Sequence, residues 1–492
     1  MERSSGILMP ISALPSNYGI GTFGKAAYDF ADSLARSGQK YWQVLPLGPT
    51  SYGDSPYQSF STFAGNPYFI DLDILCESGL LAVDEVKAID WGVSAARVDY
   101  ARIYANRFGI LEKAYRAGFE RDKTMVEEFI EANKDWVLDY ALFMALKQEF
   151  EMKLWTLWPD EAVRLRKPKR LAFYRKKLKD RVDFWIYCQY LFFTQWQDLK
   201  CYVRSLGIRI IGDIPIYVAL DSVDVWANKD LFLLKEQCSP TVLAGCPPDY
   251  FSEDGQLWGN PIYDWAQHKG TGYAWWTMRI KKSLTLFDRI RIDHFRGFAS
   301  YYEIPSGEVT AKFGQWKAGP GLGFFKAIED KIGRPPIIAE DLGMLSPDVH
   351  VLLDQTGFPG MKVLQFAFDP QEQSTHLPHN YKSNCVVYTG THDNDTSVSW
   401  LHEAEPAVRK YARDYLGLTE QEGYHWGMIR GAWESVADLA MAPLQDFLGL
   451  GKEARMNTPS TVNGNWQWRL APGLFNEDLC QKIKKITELY NR

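Results

Sequence analysis

The sequence has little of what marks several large classes of protein. Its seven cysteines are scattered over 492 residues without a close Cys-x-x-Cys pair, which argues against a disulfide framework and against a zinc site. No acidic loop resembles a calcium site, no apolar run is long enough to span a membrane, and no internal repeat is visible. These absences favour a globular protein with reduced thiols, no bound metal and no cofactor.

The N-terminal stretch does not have the form of an export signal. Residues 6–14 are apolar, but Pro10 interrupts the run and Pro15 follows it. This pattern is poor for a signal peptide and good for a first strand. Together with the scattered cysteines, it predicts a cytoplasmic protein.

No excess of positive charge is present to attract polyanions. The formal net charge is −6, so we expect neither a nucleic acid nor a membrane as partner. One run, 164–181, is rich in Lys and Arg. Its helical spacing and acidic neighbours predict a solvated helix face rather than a nucleic-acid site.

Aromatic residues, by contrast, are abundant: 18 Trp, 26 Tyr and 27 Phe. Most are expected in the core, where large rings fill space. Several lie in loop-like contexts, namely Tyr250, Phe251, Trp258, Trp466 and Trp468. Sugar rings present flat C–H faces that stack on such side chains, so a carbohydrate substrate is favoured over a small charged one.

Four apolar runs each end in an acidic residue: Asp213, Asp293, Glu340 and Asp393. Parallel strands buried on both faces have such continuous apolar sequences, and their C-terminal ends meet at one edge of a barrel. Arg291 lies two residues before Asp293, and a nearby guanidinium keeps a carboxylate ionised. The alternative, that polar residues simply follow strands, does not explain why the residue is acidic all four times.

The alternation of strands and helices predicts the fold. Strand-like runs separated by helical stretches indicate right-handed βαβ units, and eight such units close into a (β/α)8 TIM barrel with its site at the C-terminal ends of the strands. The eight runs lie at about 6–14, 41–47, 208–218, 289–295, 337–340, 361–368, 386–391 and 437–444.

Two intervals are too long for ordinary connections within the barrel. Residues 76–200 have helical spacing, and residues 225–286 have many turn residues and few helical signals. No C-terminal β-sandwich is expected, because the chain ends in a helix-like stretch soon after the eighth strand. The predicted organisation is the first part of the barrel (1–75), a helical insertion (76–200), the third barrel strand (201–224), a loop-rich cap over the cleft (225–286) and the rest of the catalytic barrel (287–492).

The four acidic stretches resemble, in the same order, the four catalytic regions of the α-amylase clan. The whole chain resembles its 4-α-glucanotransferase branch, the amylomaltases or disproportionating enzymes. Further matching stretches are SPYQS at 55–59, PPDYF at 247–251, GQLWGNP at 255–261 and RMNTP at 455–459. One departure is Ser460, which stands where the family usually has glycine.

The resemblance implies an activity and a role for each acid. The enzyme is expected to transfer α-1,4-glucan segments between maltooligosaccharides or starch- and glycogen-derived glucans by a retaining double displacement. Asp293 is the expected nucleophile, Glu340 the general acid and base, and Asp393 the partner of the sugar 2- and 3-hydroxyls. The expected substrate-binding residues are Arg291, His392, Asp213, Tyr57, Ser55, Asp249, Tyr250, Phe251, Gln256, Trp258 and Asn457.

Two alternatives are compatible with parts of the pattern. An α-1,4-glucan hydrolase carries the same acids, so residue types alone leave transfer and hydrolysis open. A catalytically inactive glucan-binding protein predicts the loss of at least one acid, whereas all three are present. Among neighbouring residues, we expect His294 to be a packed core histidine, Asp341 to cap the turn that follows it, and Asp213 to be structural.

Overall fold

The computed structural model describes residues 2–51, 53–92, 94–248, 253–343 and 345–492. In this part of the chain there are twelve strands. They are β1 Ser4–Leu8, β2 Tyr41–Gln43, β3 Arg209–Pro215, β4 Val242–Cys246, β5 Gln256–Pro261, β6 Arg289–Asp293, β7 Ser300–Pro305, β8 Gln315–Ala318, β9 Ile337–Ala339, β10 Gly360–Val363, β11 Cys385–Tyr388 and β12 Leu439–Pro443.

Eight of these strands form the predicted barrel. Their order in the sheet is β10-β11-β12-β1-β2-β3-β6-β9, and every paired neighbour is parallel. All eight predicted strands are present, and several end earlier than the apolar runs suggested. In the first, Pro10 lies just beyond β1 and lacks the N–H that continued pairing needs.

The barrel closes between β9 and β10 without a regular ladder. The Ala339 N–H donates to the Pro359 carbonyl at 2.9 Å, and the Met361 N–H donates to Asp341 Oδ1 at 2.6 Å. That Asp341 caps the following turn stays a prediction, since this turn runs into residue 344, which lies outside the described residues. The Asp341 carboxylate accepts a hydrogen bond from the next barrel strand and helps to close the joint between β9 and β10.

The barrel interior is apolar except near its C-terminal end. Inward side chains from the strands form a separate core that is almost completely buried, and it consists of Leu8, Tyr41, Ile211, Ile338, Met361, Val363, Val386, Tyr388, Leu439 and Met441. No residue of β6 belongs to this core, because its inward positions are Arg289, Arg291 and Asp293. Strand alternation thus places Asp213 one layer above Ile211 and in register with Arg291.

Nineteen α-helices accompany the strands in the described residues. Helix α1 shows why they cover the barrel: Ala27, Phe30, Ala31 and Leu34 recur at helical spacing and are all buried. The helices are α1 Lys25–Arg36, α2 Leu72–Glu77, α3 Val83–Lys87, α4 Tyr100–Gly118, α5 Lys123–Asn133, α6 Val137–Glu149, α7 Glu161–Arg164, α8 Pro168–Lys177, α9 Lys179–Ser205, α10 Val223–Ala227, α11 Trp265–Gly270, α12 Ala274–Leu286, α13 Gly321–Ile332, α14 Pro347–Thr356, α15 Ser397–Glu403, α16 Pro406–Leu416, α17 Tyr424–Glu434, α18 Leu444–Phe447 and α19 Glu477–Leu489.

Residues 76–200 are largely helical, from the end of α2 into α9. The basic run at 164–181 lies on α7 to α9 and pairs with acids of the same region. Arg166 contacts Asp139 at 2.6 Å, and Lys177 and Arg181 contact Glu149 at 2.5 and 3.0 Å. These contacts support a solvated helix face. The domain boundaries given above remain predictions.

Residues 225–286 contain more regular structure than their turn residues indicated. Strands β4 and β5 lie here, and helices α11 and α12 lead into β6. Together with β7 and β8 the two strands form an antiparallel sheet in the order β5-β4-β7-β8. Of the two partners of β4, the strand β7 is about sixty residues away in the sequence, so this pairing has no local signal.

After β12 the described residues form only helices and connections, ending with α19. Among the described residues, no helix is both long and apolar enough to cross a membrane.

Candidate active site

Strands β3 and β6 bring two acids to one arginine. Arg291 is 3% exposed, and its Nη1 lies 2.6 Å from Asp213 Oδ2 while its Nη2 lies 3.0 Å from Asp293 Oδ1. Burial acts to lower the pKa of Arg291, but Asp213 and Asp293 raise it well above its ordinary value. Arg291 therefore remains a cation.

Asp293 is less acidic than its arginine neighbour suggested. Burial raises the pKa of Asp293, Arg291 opposes this shift, and the negative charge of Asp213 reinforces it. The sequence-based expectation considered only the guanidinium. It omitted the burial of Asp293 and the fact that Arg291 is shared with Asp213.

Glu340 follows β9 and is held by backbone amides. The His294 N–H donates to its Oε2 at 2.6 Å and the Leu342 N–H to its Oε1 at 2.7 Å. Burial raises the pKa of the Glu340 carboxyl, and the negative charge of Asp293 raises it further. Both amide hydrogen bonds act in the opposite direction, and the net shift is upward.

His294 is not the packed core histidine that we expected. It is half-buried, and its backbone is left-handed with φ of +53°, which non-glycine residues rarely adopt. This conformation directs its N–H at Glu340. Its ring lies edge-on to Trp258, with 4.8 Å between ring centroids, and burial lowers its pKa to about 3, so the ring is neutral.

Asp393 follows β11 and belongs to a separate hydrogen-bond network. Its Oδ2 lies 3.3 Å from His392 Nε2, and its Oδ1 accepts from Asn457 Nδ2 at 2.6 Å. Burial acts to raise the pKa of Asp393, but the charge of His392 and the hydrogen bonds from His392 and Asn457 lower it to about 2. Asp393 is therefore an ionised acceptor at neutral pH.

Tyr57 joins the two acidic groups. Its hydroxyl donates to Asp213 Oδ2 at 2.9 Å, and its ring stacks on His392 with centroids 5.2 Å apart. Trp466 packs against both rings, at 5.8 Å from Tyr57 and 5.9 Å from His392. The sequence indicated Trp466 as a loop aromatic but did not indicate this contact.

Comparison with known proteins assigns the chain to a family. A family model described as 4-alpha-glucanotransferase matches residues 9–475. The chain belongs to this family. It is 51% identical over 486 residues to the 4-alpha-glucanotransferase of Clostridium butyricum, covering 98% of this chain and 100% of that protein. The Thermus thermophilus 4-alpha-glucanotransferase is 46% identical, with 100% and 99% covered.

A solved amylomaltase has the same architecture. The amylomaltase from Streptococcus agalactiae in complex with acarbose superimposes with a TM-score of 0.98 at 43% identity, and all of both chains is covered. The resemblance drawn from the sequence motifs and the (β/α)8 barrel are therefore both confirmed.

The remaining residues predicted from the glucanotransferase motifs fall into two groups. Ser55 Oγ accepts from the Tyr57 N–H at 3.3 Å, and Gln256 Oε1 accepts from Trp258 Nε1 at 3.0 Å. Both thus orient a neighbouring aromatic residue of the site. The others lie outside the described residues, and they are Asp249, Tyr250 and Phe251.

The site of this glucanotransferase chain contains two groups of contacts. The first connects Asp213, Tyr57, His392, Asp393 and Asn457 and includes Arg291, which also contacts Asp293. The second consists of Glu340, its amide donors and Trp258. The described residues contain no cluster of three His, Cys, Asp or Glu side chains arranged to hold a metal ion.

Proposed function

We propose that this protein transfers α-1,4-glucan segments between maltooligosaccharides or starch- and glycogen-derived glucans, with retention at the anomeric carbon. Membership of the 4-alpha-glucanotransferase family supports transfer over the hydrolase alternative. The complex of the Streptococcus agalactiae amylomaltase with acarbose supports an oligosaccharide substrate. Cys188, Cys385 and Cys480 are buried free thiols, which supports the cytoplasm as the location.

One observation carries the assignment of roles: Asp293 and Glu340 adjoin at the barrel edge but have opposite kinds of partner. Asp293 contacts the permanent cation Arg291, whereas burial raises the pKa of the Glu340 carboxyl and the charge that acts most strongly on it, the negative one of Asp293, raises it further. Such environments separate the proton affinities of two carboxyl groups and thereby assign acid and nucleophile. In this proposal the ionised Asp293 attacks, and the protonated Glu340 donates.

The first displacement forms the glycosyl-enzyme. An Asp293 oxygen bonds to the anomeric carbon while the glycosidic bond breaks, and the Glu340 proton passes to the departing oxygen. Asp393, held by His392 and Asn457, accepts from the sugar hydroxyls. These hydrogen bonds strengthen as the ring acquires oxocarbenium character.

The second displacement reverses the proton transfer. Glu340 is now ionised and takes the proton from a 4-hydroxyl of the acceptor glucan. The acceptor oxygen bonds to the anomeric carbon, and Asp293 leaves with its electron pair as a carboxylate. Transfer requires the acceptor sugar to displace water from this position, and Trp258 lies beside the Glu340 network to provide an apolar wall.

The Asp293→Asn variant tests the proposal. Disproportionation of maltotriose should fall by at least roughly a thousandfold, because removal of the nucleophile removes an obligatory step. Asp354→Asn on α14 is the matched control, since Asp354 has 72% side-chain exposure. Product distributions are measured by chromatography and folding by circular dichroism. Near-normal disproportionation by a folded Asp293→Asn variant would rule out Asp293 as the nucleophile.

A further inference from the structure

Arg279 is a buried arginine with no part in the reaction steps proposed above. It lies on α12, outside the barrel sheet, and is 1% exposed. Its guanidinium donates to the carbonyl of Pro215, at the end of β3, and to the carbonyl of Ile216 at 3.0 Å. Its Nε donates to Thr62 Oγ1 at 2.8 Å. The side chain thus reaches from an outer helix to the end of the strand that carries Asp213.

Thr62 joins this arginine to an acidic side chain. Its hydroxyl accepts from Arg279, and its backbone N–H donates to Asp224 Oδ2 at 2.8 Å. Asp224 belongs to the first turn of α10 and is 2% exposed. The guanidinium is itself fixed, since it is a rigid fork and lies over the Trp276 ring, 4.6 Å from the centroid. These contacts set the position of Thr62 relative to the end of β3.

Thr62 ends a short segment, 57–62, that begins with Tyr57. The Tyr57 hydroxyl donates to Asp213 Oδ2 at 2.9 Å, and Arg291 Nη1 contacts the same oxygen at 2.6 Å. Arg291 also contacts Asp293. The position of segment 57–62 therefore affects how Arg291 is shared between the two acids.

Packing alone does not fix the distance between this segment and the strand end. A cavity of about 50 Å³ is bordered by both of them, and its lining includes Tyr57, Thr62, Asp213, Pro215 and Arg279. Side chains that border a cavity lack contact partners on that side, so hydrogen bonds carry more of the positioning here. Arg279 donates to the segment and to the strand end alike.

Other hydrogen bonds of segment 57–62 lead to different elements. Gln58 Nε2 donates to Asn260 Oδ1 on β5 at 3.2 Å, and the Phe60 carbonyl accepts from the Val223 N–H on α10 at 2.9 Å. These contacts keep the segment attached when the hydroxyl of Thr62 is removed. Loss of that hydroxyl should therefore change the alignment of the segment with β3 and leave its fold intact.

We propose that Arg279 is a positioning residue for the transfer reaction: through Thr62 it holds Tyr57 at hydrogen-bonding distance from Asp213. The inference rests on the proposed function and adds to it a residue from a helix outside the barrel sheet. Arg279 acts on the reaction only through segment 57–62 and the end of β3.

The effect on the reaction passes through Asp213. When the segment shifts, the Tyr57 hydrogen bond to Asp213 lengthens, and Asp213 interacts more strongly with Arg291. Arg291 then orients Asp293 less well for its attack on the anomeric carbon. Because reacting groups must be closely aligned, a small displacement of this kind lowers the rate of the chemical step more than the affinity for substrate.

The bond is broken at Thr62, because replacement of Arg279 would also leave backbone carbonyls unpaired. Thr62→Val removes the hydroxyl and keeps the branched shape, whereas Thr62→Ser keeps the hydroxyl. Thr487→Val is the control for lost stability, since the buried Thr487 hydroxyl on α19 accepts from Gln39 and Trp433. The measurements are kcat and KM for the disproportionation of maltotriose, and the free energy of unfolding from urea denaturation.

We expect Thr62→Val to lower kcat about tenfold and to leave KM within about twofold of the parent, because the lost alignment acts on the transition state. Thr62→Ser should retain most of the parent kcat. Thr487→Val should lose stability and keep the parent kcat.

A double-mutant cycle with Tyr57→Phe tests the route of the effect. The phenylalanine has no hydroxyl for Asp213, so Thr62→Val should lower kcat by less than about twofold in this background. A crystal structure of Thr62→Val supplies a readout without turnover. In it, the distance from Tyr57 Oη to Asp213 Oδ2 should exceed the 2.9 Å of the parent.

Four results would overturn the positioning role. An unchanged kcat in Thr62→Val would mean that the bond serves stability alone. The same loss of kcat in Thr487→Val would mean that kcat follows stability. Equal losses from Thr62→Val with and without Tyr57→Phe would mean that the effect does not pass through Tyr57. An unchanged distance between Tyr57 and Asp213 would mean that Thr62 does not position the tyrosine.

Failure of the proposed function is a separate result. If Asp293→Asn retains transfer, the assigned reaction is wrong, whatever Thr62→Val does to the rate. The distance between Tyr57 and Asp213 in the crystal structure of Thr62→Val does not depend on that assignment.

Discussion

The four acids at the barrel edge have different neighbours, and for Asp293, Glu340 and Asp393 burial and these neighbours shift the pKa in different ways. Asp213 is paired with Arg291 and Tyr57, and Asp393 has its pKa lowered to about 2 by His392 and Asn457 against the effect of burial. Burial raises the pKa of Glu340 and, against Arg291, that of Asp293. The residue type alone therefore does not determine which carboxyl carries a proton.

The pH dependence of transfer should report the ionisation of Asp293 and Glu340. Glu340 must be protonated for the first step, so kcat/KM falls as pH rises through its raised pKa. Asp293 must be ionised, so kcat/KM also falls as pH drops through the pKa of Asp293, which burial moves above the ordinary aspartate value of about 3.9. We expect a bell-shaped profile for maltotriose between pH 4 and 9.

Glu340→Gln provides the control for that profile. Its residual rate should lack the alkaline decline, because the amide does not titrate in this range. A parent profile that stays flat up to pH 9 would contradict the assignment of Glu340 as the acid. The two apparent pKa values belong to the interacting pair rather than to either residue alone.

At the residue scale, the sequence indicated which acids meet at the barrel edge, because an acid follows each apolar run. The catalytic roles of Asp293, Glu340 and Asp393 stay predictions. The contacts of His294 and Asp341 could not be predicted, because one depends on a left-handed backbone and the other on a strand that follows it in the chain. Ser460 likewise has a left-handed backbone, with a φ of +64°, which its side chain does not indicate. Glycine adopts this conformation without strain, which explains why the family usually has glycine at this position.

At the scale of elements, the site is built by strand ends and completed by loops from elsewhere in the chain. The segment after α18 brings Asn457 to Asp393, and its backbone N–H also donates to the His392 carbonyl at 3.1 Å. Arg455 Nη2 donates to the Asp393 carbonyl at 2.9 Å. This loop therefore orients Asp393, the acid proposed to bind the sugar hydroxyls, from outside the barrel strands.

In the proposed function, Trp258 on strand β5 is the apolar wall at the acceptor position, and Trp258→Ala tests this role. Loss of the ring should admit water to the acceptor position and weaken acceptor binding by about 1 kcal/mol. We expect less disproportionation of maltotriose and a higher ratio of hydrolysis to transfer. The ratio is measured as new reducing ends against redistributed oligosaccharides in the same samples.

Because Trp258 also touches His294, the matched variant is Trp258→Phe, which keeps an apolar ring. It should retain most of the parent ratio of hydrolysis to transfer. If Trp258→Ala lowers both activities in equal proportion, the ring acts through the His294 and Glu340 hydrogen bond instead of excluding water.

Sequence patterns predicted the elements with local signals and missed those without them. The barrel strands are short apolar runs between turn residues, and all eight could be located. The antiparallel sheet was missed because β4 and β7 pair across the intervening helices α11 and α12 and strand β6. Helix α12 was missed because its tryptophans and the nearby turn residues masked its periodicity.

At the scale of the whole molecule, the barrel has one joint that depends on a side chain. Asp341 accepts from the Met361 N–H between β9 and β10 and is 7% exposed. Asp341→Ala should lower the free energy of unfolding by about 1–3 kcal/mol, because it leaves a buried amide unpaired. Urea denaturation gives the value.

Asp341→Asn is the matched variant, since its amide oxygen can still accept from Met361. It should cost less than the alanine variant, and exposed Asp354→Ala should cost close to nothing. Equal stability of Asp341→Ala and the parent would show that the joint is held by the backbone alone. A fall in maltotriose turnover is also expected for Asp341→Ala, because Glu340 is the preceding residue.

The helical insertion affects the order in which the chain can fold. Strands β2 and β3 are adjacent in the barrel, and Tyr41 pairs with Arg209, yet 76–200 lies between them. Loop closure over so long a flexible segment carries an entropic cost that grows with its length. A folded insertion shortens the effective loop, since α9 ends just before β3.

We therefore expect the insertion to become structured before the barrel can close, both on refolding and as the chain leaves the ribosome. Pulse-labelling hydrogen exchange during refolding should show amides of α6 and α9 protected earlier than those of β2 and β3. Simultaneous protection of both sets would mean that the barrel and its insertion form in a single cooperative step.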